Sequence, residues 1–399
     1  MPRETELMLT TYRCIALYLL TALLLTTRAD DGMRARDWGV PFEGTPGPEN
    51  AITDVAGVLV GHSTLVEGSG EVIMGEGPVR TGVTAILPRG KDFSQQVAAG
   101  RAVINGTGEM TGSWLIDETG YFGGPVMLTG TTSVGLVHHA TARWIRDQLP
   151  PAQRFSGLIP VVAETLDIHL NDIWGFHVQP EHVFDALNGA SSGRIKEGNV
   201  GGGTGMIAYA FKGGIGTASR RISVGETLYT VGVLLQANHG KRENLQIAGV
   251  PVGREIPDLM PSQVSAAAEK NSLVIILATD APLTPTQLRR LARRAALGVG
   301  RGGSIGGYMS GELALAFSTG NTIAIGQQEQ TLTSPTAWNG EALNGLFKAA
   351  VQATEEALVN ALVAAETMTG ANNLTVHALP EERLQSVLHR YNRLEKAAP

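Results

Sequence analysis

The sequence predicts a mixed chain, α/β or α+β, with helices packed on sheets. Three observations carry this expectation. Short apolar and β-branched runs ended by Gly or Pro alternate with segments of helical periodicity. The alternation follows no regular repeat. The chain has 399 residues, 43% hydrophobic and 17% charged, which suits a large core and is unlike disorder. That length allows two or three domains or one large single-core unit.

The N-terminal segment reads differently from the rest. Arg13 precedes the apolar run Cys14–Leu25, and Thr27-Arg28-Ala29 offers small residues around a cleavage point. This is the three-part pattern of a secretory signal peptide, so residues 1–29 are expected to be removed and the protein to be periplasmic or secreted. The apolar run is short for a membrane span of about 20 residues, so no stable span is expected. Cys14 is the single cysteine, which leaves the mature chain without a disulfide, a thiol nucleophile or a thiolate ligand.

The elements follow in order. Residues 30–50 are polar and rich in Gly and Pro, and read as a surface lead-in. Val55–Gly61 and Thr81–Leu87 read as short strands. Thr131–Gln148 fits a helix that buries Val134, Val137, His138, Trp144 and Ile145. Leu158–Ala163 reads as a strand leading to Glu164. Met206–Phe211 and Tyr229–Leu235 read as two more, the second running into Gln236-Ala237-Asn238-His239-Gly240. Residues 241–271 read as an exposed connection. Ser272–Asp280 is a continuous apolar run, as in a strand buried on both faces. A helix follows with a full start signal: Thr284 as N-cap, Pro285 at the first helical position, Gln287 closing a capping box, and Leu283 with Leu288 as a hydrophobic staple. Leu288, Leu291, Ala292 and Ala295 form its buried face, and Arg289, Arg290, Arg293 and Arg294 a solvated one. A Gly-rich stretch (Arg301–Gly311) leads to a strand over Leu313–Ser318, then a long helix over Glu341–Thr367 and another after Pro380.

Composition and motifs exclude several functions. Lys and Arg number 31 against 37 Asp and Glu, a net charge of −6 without a clustered basic stripe, which argues against nucleic acid as a partner. The 50 glycines show no collagen period. Gly198–Gly205 resembles a nucleotide loop only in composition, because it lacks the preceding strand and following helix that such a loop needs. No HExxH occurs, and adjacent His138 and His139 point about 100° apart on a helix, so no metal site is expected. Asn105-Gly106-Thr107 matches a glycosylation sequon, but Asn105–Gly112 reads better as a turn-rich loop near a site.

Ser272 stands where a polar connection meets a buried strand. A cut between Asn271 and Ser272 would give it a hydroxyl and a free α-amine on one residue. An α-amine of pKa about 7.7–8.0 is a suitable base for that hydroxyl near neutral pH.

Four segments together resemble the family of L-aminopeptidase/D-amidase-esterases and β-peptidyl aminopeptidases. They are Asp37–Gly47 with Asn50–Val55, the Asn105–Gly112 loop, Gly198–Gly205 continuing through Phe211–Ser219 to Gly240, and Ser272–Leu283. The resemblance implies a precursor that cuts itself before Ser272 into an α chain (30–271) and a β chain (272–399). It implies a four-layer αββα sandwich similar to N-terminal nucleophile hydrolases but with different connectivity, and further assembly, often into tetramers. It implies Ser272 as nucleophile, Ser310 and Glu312 as the residues that hold its amine and relay protons, Asn238 as oxyanion donor, and Glu164 as the carboxylate that receives a substrate's ammonium. No metal or organic cofactor is implied, and the expected substrates are short peptides, amides or esters, of β-residues or of D- or L-residues. Leu166 departs from the family pattern, where a large aromatic often stands, and an aliphatic wall there offers no face for cation–π contact. Two other readings remain on the same residues: an acyltransferase of the ornithine-acetyltransferase type, whose nucleophile pattern is Thr where this chain has Ser272, and an unprocessed, non-enzymatic binding protein.

Overall fold

A computed structural model describes residues 32–151, 159–262, 272–324, 338 and 340–395. The proposed signal peptide and Asn271 lie outside the described residues. Met33 onward forms one unit.

Fourteen strands are described: β1 (Leu59–Glu67), β2 (Val79–Lys91), β3 (Gln95–Gly106), β4 (Tyr121–Phe122), β5 (Val126–Gly130), β6 (Val161–Thr165), β7 (Ile207–Ala208), β8 (Phe211–Lys212), β9 (Gly214–Val224), β10 (Thr227–Asn238), β11 (Ser272–Thr279), β12 (Gly311–Ala324), β13 (Met368–Thr369) and β14 (Thr375–Val376). The helices are α1 (Ser113–Thr119), α2 (Val134–Gln148), α3 (Pro180–Asn188), α4 (Val252–Glu255), α5 (Pro285–Arg301), α6 (Leu343–Val363) and α7 (Glu381–Arg390). One sheet has the order β1-β2-β5-β6 and the other β4-β3-β12-β11-β10-β9; β7-β8 and β13-β14 are small separate pairs.

Three apolar layers hold four structural layers together. Met127 and Val162 on the smaller sheet pack with Val137, Trp144 and Ile145 of α2 and Val183 and Leu187 of α3. Val126, Leu128 and Val161 of that sheet meet Leu234, Val274, Ile276 and Phe317 of the larger one. The larger sheet's other face (Val233, Leu235, Leu273, Ile275) carries Leu288 and Leu291 of α5 and Leu346 and Leu358 of α6. The architecture is therefore helix, sheet, sheet, helix. It explains the unbroken apolar run at 272–279: odd and even side chains of β11 enter different cores, so both sets must be apolar. The start of α5 follows its local chemistry, with Thr284 and Gln287 each accepting from the other's backbone N–H.

Four local readings are corrected. The first strand is Leu59–Glu67, because Val55–Gly57 bend into a turn that the Val58 N–H closes on the Val55 carbonyl at 3.1 Å, with Gly57 at φ 90°. Its partner β2 runs on through Pro88 to Lys91. Met206–Phe211 is not one strand but a hairpin, with Tyr209 and Ala210 at φ 51° and 58° in its two-residue turn. Positive φ at both turn residues matches the right-handed twist of the flanking strands, and burial of Tyr209 and Phe211 accounts for the apolar run. Finally, the described part of 241–271 is not simply an exposed connection, because its apolar residues are buried. Leu245, Ile247, Val250, Val252 and Ile256 join the helix-side core, so the charge and proline content there marks irregular backbone and not exposure.

The lead-in at 34–50 is also docked rather than free on the surface. Ala35 and Trp38 are buried, and the Ala35 N–H donates to Asn360 Oδ1 at 3.0 Å. Glu356, fully buried on α6, receives Arg36 at 2.7 Å, Arg220 at 2.6 Å and the Asn50 amide at 2.6 Å. Burial works against the Glu356 charge, but Arg36, Arg220 and Asn50 together outweigh it and hold the carboxyl below its usual range. Removing one partner of such a group leaves the others buried and uncompensated. Glu356→Gln should therefore lower the unfolding free energy by about 3 kcal/mol or more, measured by urea denaturation near pH 7. A loss under about 1 kcal/mol would show that the cluster is effectively solvent-screened.

Candidate active site

Ser272 opens β11, between the last residue of β10 and the first of β12. It pairs antiparallel with Asn238 and parallel with Gly311. Opposed residues of an antiparallel pair project on one face, so the Ser272 and Asn238 side chains share a face. Leu273 packs on the helix side and Val274 between the sheets, which places the Ser272 side chain on the inter-sheet face. Glu312 pairs with Leu273 and so projects to the other face of the sheet. Ser272 and Asn238 are buried, and Ser310 and Glu312 entirely so.

The Asn238 amide is oriented by backbone at both ends. Its Oδ1 accepts from the Ile207 N–H at 2.8 Å, and its Nδ2 donates to the Leu166 carbonyl at 2.8 Å. A flipped amide would oppose donor to donor and acceptor to acceptor. The second Nδ2 hydrogen is left for another acceptor. Leu166 thus contributes its carbonyl to the site, whatever its side chain does.

Glu312 Oε1 accepts from the hydroxyls of Ser310 and Ser304, each at 3.2 Å. The loop carrying Ser310 is held by Asn105, whose Nδ2 donates to the carbonyls of Gly307 at 2.7 Å, Tyr308 at 3.2 Å and Ser310. Asn105 is a site-supporting residue whose role the sequence reading missed. The surrounding turn signal did place that loop near a site, but nothing local says what its amide grips.

Glu164 lies within β6, not beyond its end as the sequence reading had it. Its Oε1 accepts from the Glu109 N–H at 3.1 Å, and its Oε2 from the Thr131 hydroxyl. Burial pushes its carboxyl up against the opposing pull of these two hydrogen bonds. Gly108 lies between it and β12, the strand beside the nucleophile's. A Cβ there would lie 3.3 Å from Glu164 Oε1 and 3.4 Å from the Gly311 Cα, so a side chain would fill the gap between them. Gly201, Gly202 and Gly203 are also buried, and a Cβ on Gly202 would sit 2.7 Å from the Leu128 carbonyl. These glycines permit close approach of backbones and form no phosphate cradle.

The structure thus gathers Ser272, Asn238, Ser310 and Glu312 at one end of the larger sheet, with Glu164 across from them on β6. Asn271 lies outside the described residues. Among the described residues no group of three or more His, Cys, Asp or Glu side chains could hold a metal ion, and no helix is long and apolar enough to cross a membrane. Chemically, the arrangement offers a hydroxyl, an oriented amide donor beside it, a buried carboxylate–serine pair at the start of the neighbouring strand, and a second carboxylate on the facing sheet.

The family model of peptidase family S58 matches residues 50–376. The chain belongs to that family. It is 57% identical to the β-peptidyl aminopeptidase BapA of Sphingosinicella xenopeptidilytica over 385 residues, covering 94% of this chain and 96% of the relative. Among solved structures it resembles the L-aminopeptidase D-Ala-esterase/amidase of Ochrobactrum anthropi, described as a variant of the Ntn hydrolase fold, at 48% identity and TM-score 0.85 over 90% of this chain and 99% of that one. A Burkholderia β-aminopeptidase matches at 43% identity and TM-score 0.81, over 90% and 99%. This S58 member is an enzyme, a serine-type aminopeptidase of the N-terminal-nucleophile class, and the reading as a non-enzymatic binding protein falls away.

His239, next to the amide donor, supplies a pH test of the packing behind the site. Its ring is fully buried and meets the Tyr209 ring edge-on at 5.0 Å between centroids. Burial pushes its pKa down to about 3. The unfolded chain takes up this proton near pH 6.5 and the folded chain does not, so the contribution to stability is full above that pH and declines as pH falls towards 3. Relative to His239→Phe, the wild type should lose about 1.4 kcal/mol of unfolding free energy per pH unit below about 6. Urea unfolding curves that stay parallel between pH 7 and 5 would contradict a buried neutral ring.

Proposed function

We propose that this protein is an exported precursor that cuts itself between Asn271 and Ser272, and then removes N-terminal residues from short peptides, amides or esters through an acyl-enzyme on Ser272. The observation that supports this best is the placement of Ser272 at the very start of β11, flanked by Asn238 on one side and Gly311 on the other. A residue at a strand start can present a free amine without breaking the ladder behind it. The relatives, a β-peptidyl aminopeptidase and an L-aminopeptidase D-Ala-esterase/amidase, fit the same substrate class.

In this mechanism the Ser272 hydroxyl attacks the carbonyl of the substrate's first residue, and the Ser272 α-amine accepts the hydroxyl proton. Asn238 donates its second Nδ2 hydrogen to the oxygen that becomes negative. One such donor lowers a barrier by about 2.7–4 kcal/mol. Ser310 and Glu312 act on the amine end of Ser272, since Glu312 lies on the opposite face from the hydroxyl. The amine then returns the proton to the leaving group, and water hydrolyses the ester on Ser272. Glu164 receives the substrate's ammonium, whose charge offsets the burial that pushes this carboxyl up. That pairing confines the reaction to chain ends. The aliphatic Leu166 shapes the acyl side, and export and assembly of the cut chains into a tetramer complete the reading.

Intact mass measurement tests the cut. The wild type should give two fragments, the smaller beginning at Ser272, while Ser272→Ala should remain one chain without activity. A single uncut wild-type chain that is still active would overturn the mechanism. Glu164→Gln tests the ammonium site: KM for substrates with a free terminal amine should rise about ten-fold or more with kcat little changed, the loss of one charge-assisted contact. An unchanged KM would remove Glu164 from substrate binding.

A further inference from the structure

Lys212 is a buried cation that the mechanism above does not use. It closes β8, its side chain is fully buried, and its Nζ donates to the carbonyls of Met206 at 2.7 Å, Gly213 at 2.7 Å and Gly203 at 3.4 Å. All three partners are neutral. Burial pushes the Lys212 pKa well below the ordinary lysine value, while the three acceptors around its nitrogen favour the ammonium, which has three protons to give. A neutral amine would set its lone pair against one of the carbonyls.

The Met206 carbonyl belongs to the same peptide group as the Ile207 N–H. That N–H donates to Asn238 Oδ1 at 2.8 Å. A single peptide unit therefore joins the Lys212 ammonium to the Asn238 amide. The direction of polarisation is consistent along the chain. A cation on the carbonyl oxygen makes the Ile207 N–H a stronger donor. A stronger bond at Oδ1 makes the Nδ2 hydrogens of Asn238 stronger donors in turn. The same contacts fix geometry. Met206 O also accepts from the Gly213 N–H at 2.9 Å, so Lys212 and Gly213 together clamp the base of the β7–β8 hairpin that orients the amide.

We infer that Lys212 is a positioning residue for the hydrolytic reaction: through the Met206–Ile207 peptide group it orients and polarises the Asn238 amide towards the developing oxyanion. This rests on the reading of Asn238 as the oxyanion donor. It adds a positive charge behind that donor, where it favours the transition state over the neutral ground state.

A double-mutant cycle on the full chain tests it, with wild type, Lys212→Met, Asn238→Ala and the double variant. Each is assayed on whichever of β-alanine, L-alanine or D-alanine p-nitroanilide the wild type turns over fastest. Lys212→Met should lower kcat about ten-fold, less than loss of the donor itself, with KM within about two-fold. In the Asn238→Ala background the same change should cost nothing further, because its effect passes through the amide. A loss from Lys212→Met that persists in full on top of Asn238→Ala would make Lys212 merely structural and overturn the inference, as would a wild-type kcat in Lys212→Met. If Asn238→Ala alone retains wild-type kcat, the oxyanion reading has failed, and that is seen without reference to Lys212. Should Lys212→Met not fold by circular dichroism, Lys212→Gln, neutral but still able to donate to carbonyls, takes its place in the cycle. A wild-type kcat in Lys212→Gln would overturn the inference equally.

Discussion

The antiparallel pairing that sets Asn238 opposite Ser272 is the constraint on which the site depends. A slip of one residue would carry every β11 side chain to the other face and take the hydroxyl away from the amide. Because β11 is apolar on both faces, hydrophobic alternation does not choose its register. The polar far end does. The Thr279 hydroxyl donates to the Thr230 carbonyl at 2.7 Å, and the Thr230 N–H donates to Asp280 at 2.7 Å. From that anchor the ladder runs without a break to Ser272, so bonds at one end of the sheet set the position of the nucleophile at the other.

Around the nucleophile, polar groups are oriented chiefly by backbone. Asn238 is held between an N–H and a carbonyl, Lys212 among three carbonyls, Asn105 over three more, and Glu164 by an N–H and one hydroxyl. Backbone partners are carried by strands that packing has already fixed, so these side chains lose little further freedom on reaching working geometry. Donors and charges that need not reorganise during the reaction are the ones that lower a barrier most. The acidic groups stand on two sides of the nucleophile for different tasks: Glu312 with its serines behind the sheet, Glu164 on the facing sheet.

Stability comes from elsewhere. Cys14 is the only cysteine, so no disulfide within the chain supports the fold, and three apolar layers hold the sheets and helices together. The lead-in segment is joined to α6 by the Glu356 cluster, a buried arrangement in which each charge depends on the others. That cluster ties the N-terminal end of the described chain to a helix that follows Ser272 in sequence. It would therefore hold the two parts of the chain together whether or not the backbone between them is cut.

Much was legible from sequence alone. The strand at 272–279 announced itself by an unbroken apolar run, and α5 by a cap, a proline and a staple, because burial on two faces and helix initiation are local in their chemical demands. The family resemblance lay in four separated segments, and its αββα architecture and enzyme class agree with the structure and the relatives. Other features were not legible. Met206–Phe211 read as a strand but belongs to a hairpin, since a buried turn may be as apolar as a buried strand. The connection after 240 read as exposed but is packed into a core, since irregular backbone and charge occur inside as well as outside. The partners of Asn105, Thr131 and Lys212 were not legible: Asn105 grips carbonyls some 200 residues away, Thr131 meets Glu164 only across the β5–β6 pairing, and Lys212 reaches three carbonyls only because the β7–β8 hairpin folds back on itself. Residue types and their local order determined which groups could do chemistry here. Only the tertiary structure decided which of them face one another, because that depends on strand register and sheet stacking, which no single segment contains.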